Sequence, residues 1–422
     1  MIRRYLLSGA ALLLLFAGLI SLQFQAEARR DERPRFVVDA QWPKPLPNNW
    51  LLGQVAGVAV DRHDRIWIVQ RQSTLTPDER GSDPAPGDPV RSDCCNRAPA
   101  VMVFDREGRL LKAWGGAADP GFLTTRCTPA MGCEWPTNEH GIYVDHLDYV
   151  YIAGNGGANH QVLKFTNDGS FVYQIGKSGL TGGSNDTNGG PGGRPLLGQP
   201  ADMEVDPLTN ELYIADGYQN KRVIVVDAAT GLYRRHWGAY GNVPIDADPG
   251  PYDPNAALAT QFRNPVHCVR IADDGLVYVC DRVNNRYQVF QKNGQFVREA
   301  FLARETLGNG SMWDIDLSPD HAQRHLYNAD GENNKVWVFN RATDQVIDSF
   351  GRNGRYAGQF HWVHNLAVDS RGNIYTAEVD TGKRAQKFER TDRSSRGRGH
   401  DRGHGRGHDR DDRDDDHRGH NR

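Results

Sequence analysis

The chain has 422 residues, 38% of them hydrophobic, and a formal net charge of −3. That composition allows a substantial core, and no basic stripe interleaved with aromatics marks a nucleic-acid partner. The six cysteines would pair as disulfides if the chain is exported.

The N-terminus reads Met1-Ile2-Arg3-Arg4, then runs apolar from Tyr5 to Leu22, then offers Ala26-Glu27-Ala28. A basic start, an apolar run and a small-x-small site predict a signal peptide over residues 1–28, with Arg29 opening the mature chain. An uncleaved anchor is the alternative, because the run is near the lower limit for a spanning helix. No cysteine follows the run, so lipid attachment is not expected. The mature protein is expected to be secreted or periplasmic and free of the membrane.

A repeat follows. VAGVAVD ends at Asp61, EHGIYVD at Asp145, PADMEVD at Asp206, VHCVRIA at Ala272, MWDIDLS at Ser318 and VHNLAVD at Asp369. Each alternating run precedes a polar turn and a second run such as RIWIVQ or LVYVCD. A third run such as HQVLKF or KVWVFN comes next. A fourth, such as SFVYQIG or QFVREAF, follows Asp168-Gly169 or Asn293-Gly294 turns. Four short strands in each of six units predict an all-β, six-bladed β-propeller over residues 29–390. Two long Gly/Pro/polar inserts, 73–98 and 177–200, are read either as decoration of a binding face or as plain surface excursions.

Cys268 and Cys280 flank the turn Asp273-Asp274-Gly275, which places them opposite each other on a hairpin and predicts a disulfide. Cys94, Cys95, Cys127 and Cys133 allow two more bridges of open connectivity. A zinc-thiolate site there is the weaker reading, since CxxC pairs are missing. Residues 391–422 contain mostly Arg, Gly, His and Asp and are predicted to be a disordered tail. Its His400, His404, His408, His417 and His420 would allow weak metal scavenging, but a solvated tail without a specific role is preferred.

Aligning the six copies on their last residue gives one column: Ala56, His140, Ala201, His267, Trp313 and His364. The histidines fall in the second, fourth and sixth copies. Alternate blades of a six-fold ring are related by a three-fold, so the three imidazoles should converge on the axis. That is the donor set of a zinc or ferrous iron site with an open position. His361, three residues before His364, is the rival ligand outside the column.

The loops after the second strands read ADGYQNKR and CDRVNNR. Aligned on Asn220-x-Arg222 and Asn284-x-Arg286, they bring Tyr218 and Arg282 to one position, which Gly331 holds in the fifth blade. The recurring Asp, Asn and Arg are expected to stitch each blade. Tyr218 and Arg282 break the recurrence, and Arg71 follows RIWIVQ at the same end. A phenol and two guanidiniums beside a metal suggest a general base and a clamp for an anionic substrate. The plain alternative is a surface tyrosine and salt-bridged arginines.

The repeats resemble NHL repeats, and the chain from about Gln54 to Phe388 is similar to the peptidylglycine α-hydroxyglycine amidating lyase family. The matching stretches are GQVAGVAVD with Arg71, EHGIYVD with His140 and QPADMEVDPLTNELYIADGYQNKR with Tyr218. NPVHCVRIADDGLVYVCDRVNNR with His267 and Arg282, and WVHNLAVDSRGNIY with His364, complete them. The resemblance implies a zinc on the three histidines, a tyrosine in the DGY-x-N-x-R loop and arginines near the metal. It also implies a structural calcium on the axis, held by backbone oxygens of Val58 and Ile142 and by Asn365, a neutral amide where the family has a carboxylate. Other departures are Glu139, Val266 and Val363 in place of the proline before each histidine, and Gln219 in place of a cysteine. Cys268 and Cys280 do not repeat the family's bridges. No copper monooxygenase domain precedes the propeller, so a separate enzyme would hydroxylate the substrate.

The reaction implied is cleavage of the N–C bond of an α-hydroxylated amide, releasing an amide and an aldehyde acid such as glyoxylate. Two other readings stand beside it. One is a non-catalytic NHL propeller that binds proteins through its inserts; the other is a lactonase-like hydrolase. Hydrolase propellers of that kind use carboxylate-rich metal sites, whereas this axis shows histidines.

Overall fold

The computed structural model describes residues 33–84, 87–119 and 121–391. The predicted signal peptide, and the predicted tail from residue 392 onward, lie outside the described residues. The repeats fold into six four-stranded antiparallel sheets. Blade one comprises Gln54–Val60, Ile66–Arg71, Val101–Phe104 and Leu110–Trp114, and blade two Glu139–Val144, Val150–Gly154, Gln161–Phe165 and Phe171–Gly176. Blade three comprises Pro200–Asp206, Glu211–Asp216, Arg222–Asp227 and Tyr233–Trp237, and blade four Val266–Ile271, Val277–Asp281, Arg286–Phe290 and Phe296–Phe301. Blade five holds Asp314–Leu317, His325–Asp330, Lys335–Asn340 and Gln345–Phe350.

Blade six is built from both ends of the described chain. Val363–Val368, Ile374–Glu378 and Arg384–Arg390 supply three strands, and Phe36–Asp39 adds the fourth, pairing Phe36 with Arg390 and Val38 with Phe388. The first strand of every blade touches that of the next, and the sixth touches the first, so the six close into a ring. The chain is a six-bladed β-propeller. Closure leaves only short, protected sheet edges facing the axis, at the first strand of each blade.

Each adjacent pair of blades shares an apolar layer, because the strands alternate and bury side chains on both faces of each sheet. Trp67, Val103 and Trp114 of blade one meet Ile152 and Phe165 of blade two. Around the ring, Ile68 and Phe104 of blade one meet Tyr375 and Ala377 of blade six.

The Asp/Asn/Arg pattern stitches the blades, as expected. Asp216 accepts from Asn220 at 2.7 Å and Arg222 at 2.9 Å, and Asp281 accepts from Asn284 at 2.7 Å and Arg286 at 2.8 Å. Arg222 does more. Its guanidinium donates to the carbonyls of Ser184 (2.9 Å), Asp186 (2.6 Å) and Leu196 (2.7 Å), fastening the second long insert to blade three. Arg222 and Asp216 are fully buried. Arg222→Met would strand the Asp216 charge and should cost about 3–5 kcal/mol in urea denaturation; a loss near zero would contradict this role.

All six cysteines are paired: Cys94–Cys95, Cys127–Cys133 and Cys268–Cys280. Cys268 and Cys280 face each other in register on the hairpin of blade four. Non-reduced peptide mapping should recover this linkage, and free thiols at both positions would contradict it. Among the described residues no helix is long and apolar enough to cross a membrane.

Candidate metal centre

The column predicted from the repeats is a structural feature of the inner strands. In five blades the pairing with the second strand slips at the column residue, at Val55/Gly57, Glu139/Ile142, Pro200/Asp202, Val266/Cys268 and Val363/Asn365. A bulge frees one residue from the ladder and re-aims its side chain. The column side chains are turned by this local slip, which residue alternation alone would not disclose.

His140, His267 and His364 come together. Their ring centroids are 5.0, 4.6 and 4.9 Å apart and the rings stand nearly perpendicular, at 78°, 73° and 79°. One ligand atom from each lies within 4.8 Å of the others. Each Nδ1 meets the carbonyl oxygen of the next blade's column residue: His140 that of Ala201, His267 that of Trp313 and His364 that of Ala56. A carbonyl only accepts, so Nδ1 must carry the hydrogen, and Nε2 is left as a lone pair. The alternation of histidine and non-histidine blades therefore has a local cause: each imidazole is oriented by the backbone of its neighbour. Burial pushes all three pKa values well below the ordinary value and favours the neutral form. His364 and Arg71 add to this at His140, Arg282 and His364 at His267, and Arg71 and Arg282 at His364. Three neutral, oriented imidazoles are the donor chemistry a zinc or ferrous ion takes.

Tyr218 closes one side. Its hydroxyl lies 3.0 Å from Nε2 of both His140 and His267, and Arg282 donates to it at 3.0 Å. Gly217 allows the approach, since a Cβ there would come within 2.0 Å of the Val266 carbonyl oxygen. Asn264 donates to the Tyr218 carbonyl at 2.9 Å, holding the loop from outside. Arg282 also lies over the Trp313 ring, its Cζ 4.4 Å from the centroid, and its buried Nε–H has no partner among the described residues. Trp313, the non-histidine of blade five, packs against both His267 and His364.

Arg71 is placed beside the centre with its donors engaged. Nε donates to the Glu139 carbonyl at 2.7 Å, one nitrogen to Gln54 at 2.9 Å and the other to Asn155 at 3.5 Å. Burial lowers its pKa from the usual value. His361 is not brought into the centre; it pairs with Asp380 at 2.8 Å. Sequence reasoning named Glu139 only as a departure from a proline and gave it no role. Its carboxyl is buried, accepts the Trp135 indole N–H at 2.8 Å, and is pushed up to about 7 by burial. Its place directly before His140 was the available signal.

Of the calcium ligands expected from Val58, Ile142 and Asn365, the Asn365 side chain already has two hydrogen-bond partners. The Asn365 side-chain oxygen accepts the Val58 N–H at 2.7 Å, and its amide nitrogen donates to Asp314. That oxygen keeps a second lone pair, but it is a neutral donor where the family has a carboxylate. Among the described residues, the three histidines form the one group of His, Cys, Asp or Glu ligand atoms close enough to share an ion.

No family model matches the chain. It is 25% identical over 355 residues to peptidyl-glycine alpha-amidating monooxygenase B of Xenopus laevis, covering 81% of this chain and 34% of that protein. It is 28% identical over 270 residues to NHL repeat-containing protein 3 of Mus musculus, covering 63% of this chain and 59% of the relative. This six-bladed propeller is similar to the amidating monooxygenases and to an NHL repeat-containing protein. It spans about a third of the length of the amidating monooxygenase it matches. Among solved structures, a streptogramin B lyase overlies 85% of this chain and 98% of its own at a TM-score of 0.48 and 12% identity, an overlap that says nothing about chemistry.

Proposed function

We propose that this protein is a metal-dependent lyase that cleaves the N–C bond of an N-acyl-α-hydroxyglycine, releasing the amide and glyoxylate. The observation that carries the reading is the Tyr218 hydroxyl, held at 3.0 Å from two of the three clustered imidazoles and from a guanidinium. His140, His267 and His364 would hold zinc or ferrous iron, and a bound ion of this kind supplies a Lewis acid that makes a substrate hydroxyl more acidic.

The remaining work falls to the chain's own side chains. Tyr218 takes the proton of the substrate hydroxyl as general base. The electron pair left on that oxygen forms the second C–O bond of the aldehyde, the C–N bond breaks with its electrons going to the amide nitrogen, and the proton held by Tyr218 passes to that nitrogen. Arg282 holds the substrate carboxylate or the charge that develops beside it, with its unused Nε–H available for a second bond. Arg71 keeps a positive charge beside His140 and fixes the backbone of Glu139. The acyl portion leaves over a cleft of about 630 Å³ whose wall includes Gln219, Asn264 and Val283, the neighbours of Tyr218 and Arg282. Paired cysteines and the predicted signal peptide support a secreted or periplasmic site of action, with a separate enzyme supplying the hydroxylated substrate.

Incubation with an N-acyl-α-hydroxyglycine should yield amide and glyoxylate in equal amounts by mass analysis. Acid and free amine, the products of hydrolysis, would overturn the lyase assignment.

A further inference from the structure

The axial channel beyond the histidines holds a buried charge cluster that the metal centre does not use. Arg270 lies three residues past His267 on the same strand, about 10 Å further along it. Its guanidinium is 3.1 Å from Asp202, 3.5 Å from Asp314 and 3.9 Å from Glu204. Asp316, two residues after Asp314 on the same inner strand, completes the set. These carboxylates also satisfy the inward-facing backbone. Asp202 and Glu204 of blade three accept the N–H groups of Val269 and Ile271 in blade four, and Asp314 and Asp316 of blade five accept those of Leu366 and Val368 in blade six. Asn365 accepts that of Val58 in the same manner. The acids are thus anchored blade to blade, and Arg270 stands among them.

We propose that Arg270 is the resident cation of this channel, doing for Asp202, Glu204, Asp314 and Asp316 what a bound metal ion would do, so that the propeller closes without one. Two independent observations carry it. The Arg270 guanidinium reaches three of the acids from two other blades, and among the described residues these carboxylates do not gather their oxygens closely enough to share an ion. The charge balance agrees. Burial raises all four carboxyl pKa values, Glu204 to about 8, while Arg270 is lowered by burial but held above its usual value by Asp202, Asp314 and Glu204.

The test is thermal unfolding of the purified full chain in EGTA and in millimolar calcium, with metal content measured alongside. The wild type should hold no calcium and unfold at the same temperature in both. Arg270→Met should lower Tm by roughly 5–15 °C, since breaking a buried ion cluster strands its charges, and calcium should recover part of that loss. Arg270→Lys keeps the charge and should fold with a smaller loss and no calcium response, which covers the case where Arg270→Met fails to fold. Stoichiometric calcium in the wild type, a wild-type Tm that rises with calcium, or an Arg270→Met protein as stable as wild type would each overturn the proposal.

Discussion

Replacing His140, His267 or His364 by alanine should strip the transition metal while leaving the propeller folded. Each imidazole supplies one inward Nε2 and is aimed by a single carbonyl from the next blade. Losing a direct ligand should cost more affinity than the roughly 10–100-fold typical for losing a partner behind one. The fold should survive, because deletion leaves one carbonyl unsatisfied, at about 1–3 kcal/mol, within a ring held by apolar layers. Metal analysis and circular dichroism on each variant check both halves. Full occupancy in all three would show that these histidines do not hold the metal.

The second large effect is expected at Tyr218. A base acting on a substrate hydroxyl contributes roughly 10²–10⁴ in rate, so Tyr218→Phe should lower kcat by about that much. Metal content should be unchanged, because the hydroxyl faces two nitrogens without being part of the histidine set. Arg282→Ala should raise KM as well, through loss of a guanidinium beside the substrate carboxylate. A Tyr218→Phe enzyme with near-normal kcat would show that another group takes the proton.

The column of Ala56, His140, Ala201, His267, Trp313 and His364 was legible because a repeat converts sequence register into position on a ring. Cys268 and Cys280 were legible for a related reason, since a short hairpin fixes its own register. Contacts between distant segments were not. Phe36–Asp39 closes blade six against residues some 350 positions away, and four residues with little alternation gave no hint of it. Arg270 reads in sequence as the polar member of an alternating strand; only ring closure turns it inward among carboxylates from two other blades. The same holds for Arg71, whose partners Gln54, Glu139 and Asn155 come from two blades. The bonds of Asn365 to Val58 and Asp314 were not legible either, because the hydrogen bonds of an amide side chain depend on neighbours that its own strand does not contain.

Metal-dependent lyase activity is tested by glyoxylate release from an N-acyl-α-hydroxyglycine by the purified protein, measured as isolated, after chelation and after zinc or ferrous iron is returned. Release should disappear on chelation and return with the metal. Release that persists undiminished in metal-free protein, or none from protein carrying its full metal complement, would contradict it.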